Sequence, residues 1–263
     1  MKYKSCNWYD YPQYYDLAFK GETTKEATFI CDAIEKHGPR NSTKVFEPAC
    51  GSGRLTIAVA KQGYYCHGFD INQSALEYLN HNIIKSKVDA TATFDHMESF
   101  SIKLPYGAKF DAAFCTLSTF RHLHKTKDAI SHFHHVANHL KKGGVYLLGI
   151  HLISDDYDDC DESWDTTHSG NGITVQSSLR STQYDLKNRM ESIEAKILVN
   201  TPTEKIKLIS EYRLKTYTLK QLRAILKQAP QFEHIATYDS LDTTSLITLN
   251  KQHDDVILVL KKA

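Results

Sequence analysis

The stretch VFEPACGSGRLTIAVA, residues 45–60, runs from a short apolar segment through an acid and two glycines into a small-residue helical pattern. KVFEPA (44–49) reads as a buried strand and RLTIAVAKQG (54–63) as a helix closed by Gly63. Gly51 and Gly53 let the chain turn sharply, and the missing Cβ lets a ligand come close to the backbone. The turn opens a helix, whose free N–H groups favour a carboxylate or a phosphate.

Outward from that turn, apolar runs alternate with helical patterns from residue 43 to 154. YCHGFDI (65–71) reads as a second strand, and SALEYLNHNIIKS (74–86) as a helix with Leu76, Leu79 and Ile83 on one face. ATATFDHM (90–97), FDAAFCTL (110–117) and GGVYLLGIHLI (143–153) are three more strand patterns. Between the last two, KDAISHFHHVANHL (127–140) carries a helical stripe of Ile130, Phe133, Ala137 and Leu140. Strands separated by helices argue for an α/β fold with a parallel sheet covered on both faces. Ligands of such sheets bind beyond the carboxyl ends of the strands, where strand order reverses.

Two regions break the alternation. Residues 1–20 are crowded with Trp8, Tyr9, Tyr11, Tyr14, Tyr15 and Phe19, and a helix follows near 23–37. Residues 172–216 hold three β-rich stretches that alternate polar and apolar, as antiparallel strands with one wet face do. TLKQLRAILKQA (218–229) then reads as a helix capped by Thr218, and FEHIATYDS and DDVILVL as a closing strand pair. The chain therefore divides into an aromatic segment and helix (1–42), a ligand-binding core (43–154), an antiparallel insertion (155–216) and a helix and hairpin completing the core (217–263).

The ligand is narrowed by what surrounds the glycines. A dinucleotide fingerprint needs G-x-G-x-x-G, and here Thr56 stands in the third glycine position. No G-K-[ST] follows, so a P-loop is excluded. Glu47, four residues before Gly51, would repel a pyrophosphate but suits the ammonium of a methionine moiety. Asp70, closing the next strand, is placed to hold ribose hydroxyls.

With these residues the chain resembles the class I S-adenosylmethionine-dependent methyltransferases. EPACGSG matches the first motif, GFDIN the second, FDHM the adenine-side loop and FDAAFCTLSTFRHL the fourth strand and its exit. The resemblance implies a Rossmann-like seven-stranded sheet of order 3-2-1-4-5-7-6, with the antiparallel insertion after the fifth strand. One departure is Ala49, where many members carry glycine; alanine is small enough to stand there. YYDLAFKG, the S-x-x-x-H-L exit from Ser118 to Leu123 and YRLKTYTLKQL resemble small-molecule N-methyltransferases of the amino-sugar nucleotide and glycine types.

The cofactor implied is S-adenosyl-L-methionine. Glu47, Ala49, Cys50, Gly51, Gly53 and Arg54 are expected along its methionine moiety, and Asp70 and Ile71 about the ribose and adenine. Asp95, His96 and Met97 are expected at the adenine edge, with Cys115 and Thr116 at the floor. By the resemblance, Tyr15 folds over the cofactor, with Tyr14 as the alternative register, and His122 is the candidate base or orienting group. The expected acceptor is a small molecule, most simply an amine, although O-methylation stays open. Alternatives are a methyltransferase of RNA or protein, and a module that binds the cofactor without turnover. Neither N/D-P-P-Y/F nor Pro-Cys follows the fourth strand; the place reads CTLSTF.

Composition sets the outer bounds. Hydrophobic residues at 41% and charged residues at 24% point to a packed core. A net charge of +1 gives no footprint for nucleic acid or an anionic membrane. Six scattered cysteines without C-x-x-C fit reduced thiols in a cytoplasmic protein, and the N-terminus lacks an apolar signal core. A homodimer is allowed by the sequence and not required. His132, His135 and His139 share a helix face opposite the apolar stripe, where solvation rather than a metal is expected. The acidic run SDDYDDCDESWD (154–165) reads as a solvated loop, with Trp164 placed to close over a ligand.

Overall fold

A computed structural model describes residues 2–154, 163–239, 241–250 and 253–263. The centre of the acidic run, 155–162, lies outside the described residues. The N-terminal segment forms a short strand β1 (Lys2–Ser5), then helices α1 (Pro12–Ala18) and α2 (Lys20–His37). The core alternates β2 (Lys44–Pro48), α3 (Arg54–Ala60), β3 (Tyr65–Asp70), α4 (Gln73–Ser86), β4 (Ala90–Phe94), β5 (Phe110–Cys115), α5 (Thr126–His139) and β6 (Leu140–His151). After it come β7 (Ser163–Gly170), β8 (Ile173–Asp185), β9 (Met190–Asn200) and β10 (Lys205–Lys215). Helix α6 (Leu219–Leu226) and strands β11 (Phe232–Tyr238) and β12 (Asp255–Lys262) close the chain.

The larger sheet has the order β11-β12-β6-β5-β2-β3-β4, which is the expected 3-2-1-4-5-7-6 arrangement. Strands β2 to β6 pair parallel, while β12 joins β6 and β11 joins β12 antiparallel. Every residue of β5 is buried, which is why the central strands read as unbroken apolar runs. Phe46, Phe69, Phe100, Phe110 and Phe133 meet in the main core on one face of the sheet. Truncating one of these rings costs roughly 3–5 kcal/mol, so Phe46→Ala alone would take a large share of a domain's stability. Helices α2 and α3 cover the other face through Ile30, Ile34, Leu55 and Val59. Thr218 caps α6 in a full capping box with Gln221, as its position before the helix requires.

The second sheet has the order β1-β10-β9-β8-β7. Three strands were expected in the insertion, and there are four; the N-terminal β1 adds a fifth, parallel to β10. Buried and half-buried residues alternate along β9, giving the sheet one packed face. That face (Val175, Ala195, Ile197, Val199, Leu208) packs on Trp8, Ala18 and Phe19, so the aromatic N-terminus and the insertion form one layer.

Helix α5 corrects the reading of its histidines. His132 is fully buried, its Nδ1 on the Met97 carbonyl at 2.9 Å and its Nε2 on the Tyr146 hydroxyl at 2.8 Å. His139 Nε2 accepts from the Ile102 N–H at 2.9 Å, and His135 packs on Phe100. The loop after β4 covers the face that the stripe left over, so these rings pack instead of meeting solvent. Burial drops the His132 pKa to about 4 and keeps the ring neutral.

Candidate functional site

One cavity of about 1280 Å³ lies between the carboxyl ends of the parallel strands and the layer made by the N-terminus and the second sheet. Its floor is the turn after β2. Gly51 and Gly53 adopt left-handed φ of +53° and +74°. A Cβ built on Gly51 meets nothing within 4 Å, which leaves room over the backbone there. Gly53 does not line the cavity; a Cβ there would overlap the Leu79 side chain, so this glycine serves the packing of α3 on α4. Ala49 also sits at φ +51°, where an L-residue is strained by roughly 1–2 kcal/mol. Glycine's frequency at that position has this physical cause, and the alanine is not neutral there.

Asp70 ties the turn to the next strand. Its Oδ2 accepts from the Gly51 N–H and its Oδ1 from the Asn72 N–H, both at 2.8 Å. Burial raises its pKa, against the pull of those backbone donors. Each carboxylate oxygen retains a lone pair beyond these bonds. Asn72 caps α4 through Ala75 N–H at 3.0 Å and donates from Nδ2 to Asp10 at 2.7 Å, fastening the N-terminal segment over this corner.

Deeper in, three ionisable side chains are buried together. Arg54 donates from Nη2 to both Glu26 oxygens at 2.9 Å, and from Nη1 to Thr23 Oγ1 at 3.2 Å. Glu47 is 8% exposed and accepts from the Thr56 hydroxyl. Burial lifts its pKa to about 8, with Thr56 and Arg54 pulling the other way. The Ser52 hydroxyl, on a residue 3% exposed in the cavity wall, has no hydrogen-bond partner. The Asp16 carboxylate is close enough to feel that hydroxyl but not at bonding geometry, and its own Oδ1 is also unpartnered.

The other end of the cavity is aromatic. Tyr9 packs on Trp8, Tyr15 and Tyr212 with ring centroids 5.4, 5.8 and 5.8 Å apart. His122, on the 3-10 turn Thr119–His122 after β5, stacks on Tyr212, and its Nε2 lies 3.4 Å from the Tyr9 hydroxyl. That ring is exposed in the cavity, and desolvation by the cavity wall, with the nearby His124 and Arg121, brings its pKa down to about 4. The turn begins with Leu117 and Ser118 both left-handed, a strained pair held where the His151 N–H donates to Ser118 Oγ at 2.7 Å.

Of the residues expected at the site, Tyr15, Glu47, Ala49, Cys50, Gly51, Arg54, Asp70, Ile71, Asp95, His96, Met97, Cys115, Thr116 and His122 all line this cavity. Tyr14 does not; it stacks on Tyr11, with ring centroids 6.0 Å apart. Arg54 is committed to Glu26. Trp164 stacks on Phe19 and lines the wall. Sequence reasoning missed Tyr9, Tyr212, Ser52 and Glu26; only the position of Tyr9 in the aromatic N-terminus hinted at a role.

Residues 45–144 match the family model described as a methyltransferase domain. The core of this chain is thus similar to a methyltransferase domain. A methyltransferase of Geobacillus sp. (strain WCH70) is 22% identical over 153 residues, covering 57% of this chain and 58% of that protein. The chain thus spans about half the length of the relatives that it matches in sequence. Among solved structures, CalS10, an amino pentose methyltransferase from Micromonospora echinaspora with S-adenosylmethionine bound, has a TM-score of 0.72 at 18% identity. The alignment covers 95% of this chain and 96% of CalS10. The sugar N-methyltransferase KedS8 from Streptoalloteichus sp. ATCC 53650 also gives 0.72, at 17% identity, covering 95% of this chain and 93% of that one. In this chain the second sheet lies over the carboxyl ends of the parallel strands as a roof.

Proposed function

We propose that this methyltransferase transfers the methyl group of S-adenosylmethionine to an amine nitrogen of a small-molecule acceptor. The observation that carries the reading is the roofed cavity, which joins the Glu47–Gly51–Asp70 cradle to the Tyr9–His122–Tyr212 cluster. The residues fit the cofactor: the space over Gly51, the unpartnered Ser52 hydroxyl and a buried Glu47 without a cation of its own are complementary to a zwitterionic sulfonium nucleoside. Glu47, Gly51 and Ser52 would hold the methionine end, Asp70 and Ile71 the ribose and adenine, and Asp95 to Met97 the adenine edge. When bound, S-adenosylmethionine supplies an electrophilic methyl group. A small acceptor is further supported by the roof, which leaves a pocket rather than an open groove, and by the sugar acceptors named for two neighbours of this fold.

The protein's part is alignment and dehydration. Holding an acceptor in near-attack geometry is worth roughly 7–11 kcal/mol of barrier. An alkylamine near pKa 10.4 costs about 4–5 kcal/mol to deprotonate at neutral pH. Desolvation by the cavity wall keeps the His122 ring neutral at pH 7. His122 therefore orients the nitrogen as a neutral acceptor, with Tyr9 fixing the ring, while the roofed cavity lowers the amine's own pKa by desolvation.

The test is transfer of labelled methyl from S-adenosylmethionine into a metabolite extract, with the product bond read by mass spectrometry. Label on nitrogen of a low-mass product is the expected result. Label only on oxygen, or only in bulk RNA or protein, would overturn the proposal.

A further inference from the structure

The charges around the cavity are lopsided. Glu22, Asp70, Asp95, Glu98 and Glu211 line it, whereas its only lysine or arginine among the described residues is Arg54, already neutralised by Glu26. A phosphate or diphosphate is bound by arginine, lysine or the free N–H groups of a helix start. Of the helix starts that border the cavity, that of α4 is closed by Asn72, which accepts from Ala75 N–H, and that of α3 lies at the glycine turn proposed to hold the cofactor's methionine end. Glu211, on β10 beside Tyr212, has no cation paired with it among the described residues. It is exposed at the cavity rim, on the face of β10 opposite Tyr212.

The aromatic cluster points the same way independently. Trp8, Tyr9, Tyr15 and Tyr212 form a continuous wall, with Trp8 and Tyr15 centroids 4.9 Å apart. Such ring faces attract an ammonium group. Trp8 is 2% exposed, and its indole N–H has no acceptor at hydrogen-bond geometry, although the Tyr9 hydroxyl lies close enough to feel it. A ligand hydroxyl or amine lone pair would complete it.

We infer that the acceptor is a cationic or neutral amine that carries no phosphate, held by the Tyr9–Tyr212 wall and drawn in by the carboxylates that line the cavity and its rim. This rests on the small-amine reading above and narrows it, because the nucleoside diphosphate of an amino-sugar nucleotide would meet carboxylates and no available cation. In the sequence of events, dephosphorylated or never-phosphorylated amines supply the substrate, and a more basic or more crowded amine leaves.

Calorimetry on the protein loaded with S-adenosylhomocysteine tests this with three probes: choline, its neutral isostere 3,3-dimethylbutan-1-ol, and uridine diphosphate. Choline should bind at least fivefold more tightly than the isostere, and that advantage should shrink between 20 mM and 500 mM salt. Uridine diphosphate should give no heat at millimolar concentration. Tyr212→Leu should cut the choline advantage two- to threefold with the affinity for S-adenosylhomocysteine unchanged. Equal binding of choline and its isostere, no binding of choline, or measurable binding of uridine diphosphate would each overturn the inference. Methyl label found on oxygen together with a clear choline preference would sink the nitrogen reading and leave this one standing.

Discussion

Arg121 and Glu191 join the two sheets through a buried ion pair, their side chains 5% and 4% exposed. Arg121 also donates from Nε to the Lys215 carbonyl at 2.8 Å, and Glu191 accepts from Ser181 and from the Tyr184 hydroxyl. Burial pushes the Glu191 pKa upward, yet Arg121, Ser181 and Tyr184 outweigh it and hold the carboxyl below its ordinary value. A depressed acid stabilises the fold above its unfolded pKa, about 4.3, and loses that contribution as pH falls through the folded value. Glu191→Gln leaves a buried guanidinium without its counter-charge, which costs roughly 3–5 kcal/mol. For a chain of this size that is a drop on the order of 10 °C in melting temperature. Arg121→Met with Glu191→Leu should recover most of the loss, since replacing both charges removes the desolvation penalty. Differential scanning calorimetry at pH 7 reads both. Because the pair also sets the turn that carries His122, turnover should fall in every variant while S-adenosylmethionine affinity stays within about twofold. A single variant that melts within 2 °C of wild type, or a double variant no better than the single, would refute the reasoning.

Three further outcomes follow from particular atoms. Glu47, with a pKa of about 8 in the ligand-free protein, is largely protonated at pH 7, and a bound cation favours its ionised form. Cofactor binding should therefore release a proton and weaken as pH falls from 8 to 6; Glu47→Gln should flatten that dependence, measured by calorimetry in buffers of different ionisation enthalpy. Tyr9→Phe should lower kcat about three- to tenfold, the size of one hydrogen bond, with cofactor affinity unchanged; an unaltered kcat would remove Tyr9 from the orienting pair. Gly53→Ala, at φ +74° and against Leu79, should cost about 1–3 kcal/mol by urea denaturation; a neutral result would mean that α4 shifts freely.

The sheet was legible because its signals are local. A glycine turn, a strand ended by Asp70 and alternating apolar runs determine the parallel core, and two adjacent strands at the end determine the antiparallel edge. Strand β7, SWDTTHSG, was not legible, because its packing runs through small polar groups such as Thr166 on Ser177 at 2.7 Å and carries no apolar alternation. Strand β1 is four exposed residues that pair only because β10 lies beside them. The cofactor-side residues came through for the same local reason as the sheet. Tyr9 and Glu26 come from the N-terminal segment and Tyr212 from β10, and no spacing within the sequence marks their convergence. The solvated reading of His132 failed because a helix face opposite a stripe is exposed only if nothing covers it, and the loop through Met97 and Phe100 does.

Titration of S-adenosylmethionine into the wild-type protein and Asp70→Ala measures the cradle between Gly51 and Asp70 directly. Saturable one-site binding by wild type, and binding weakened at least tenfold in a variant whose circular dichroism spectrum is unchanged, is the expected result. No binding by wild type, equal binding by the variant, or preferential binding of a nicotinamide dinucleotide would contradict it.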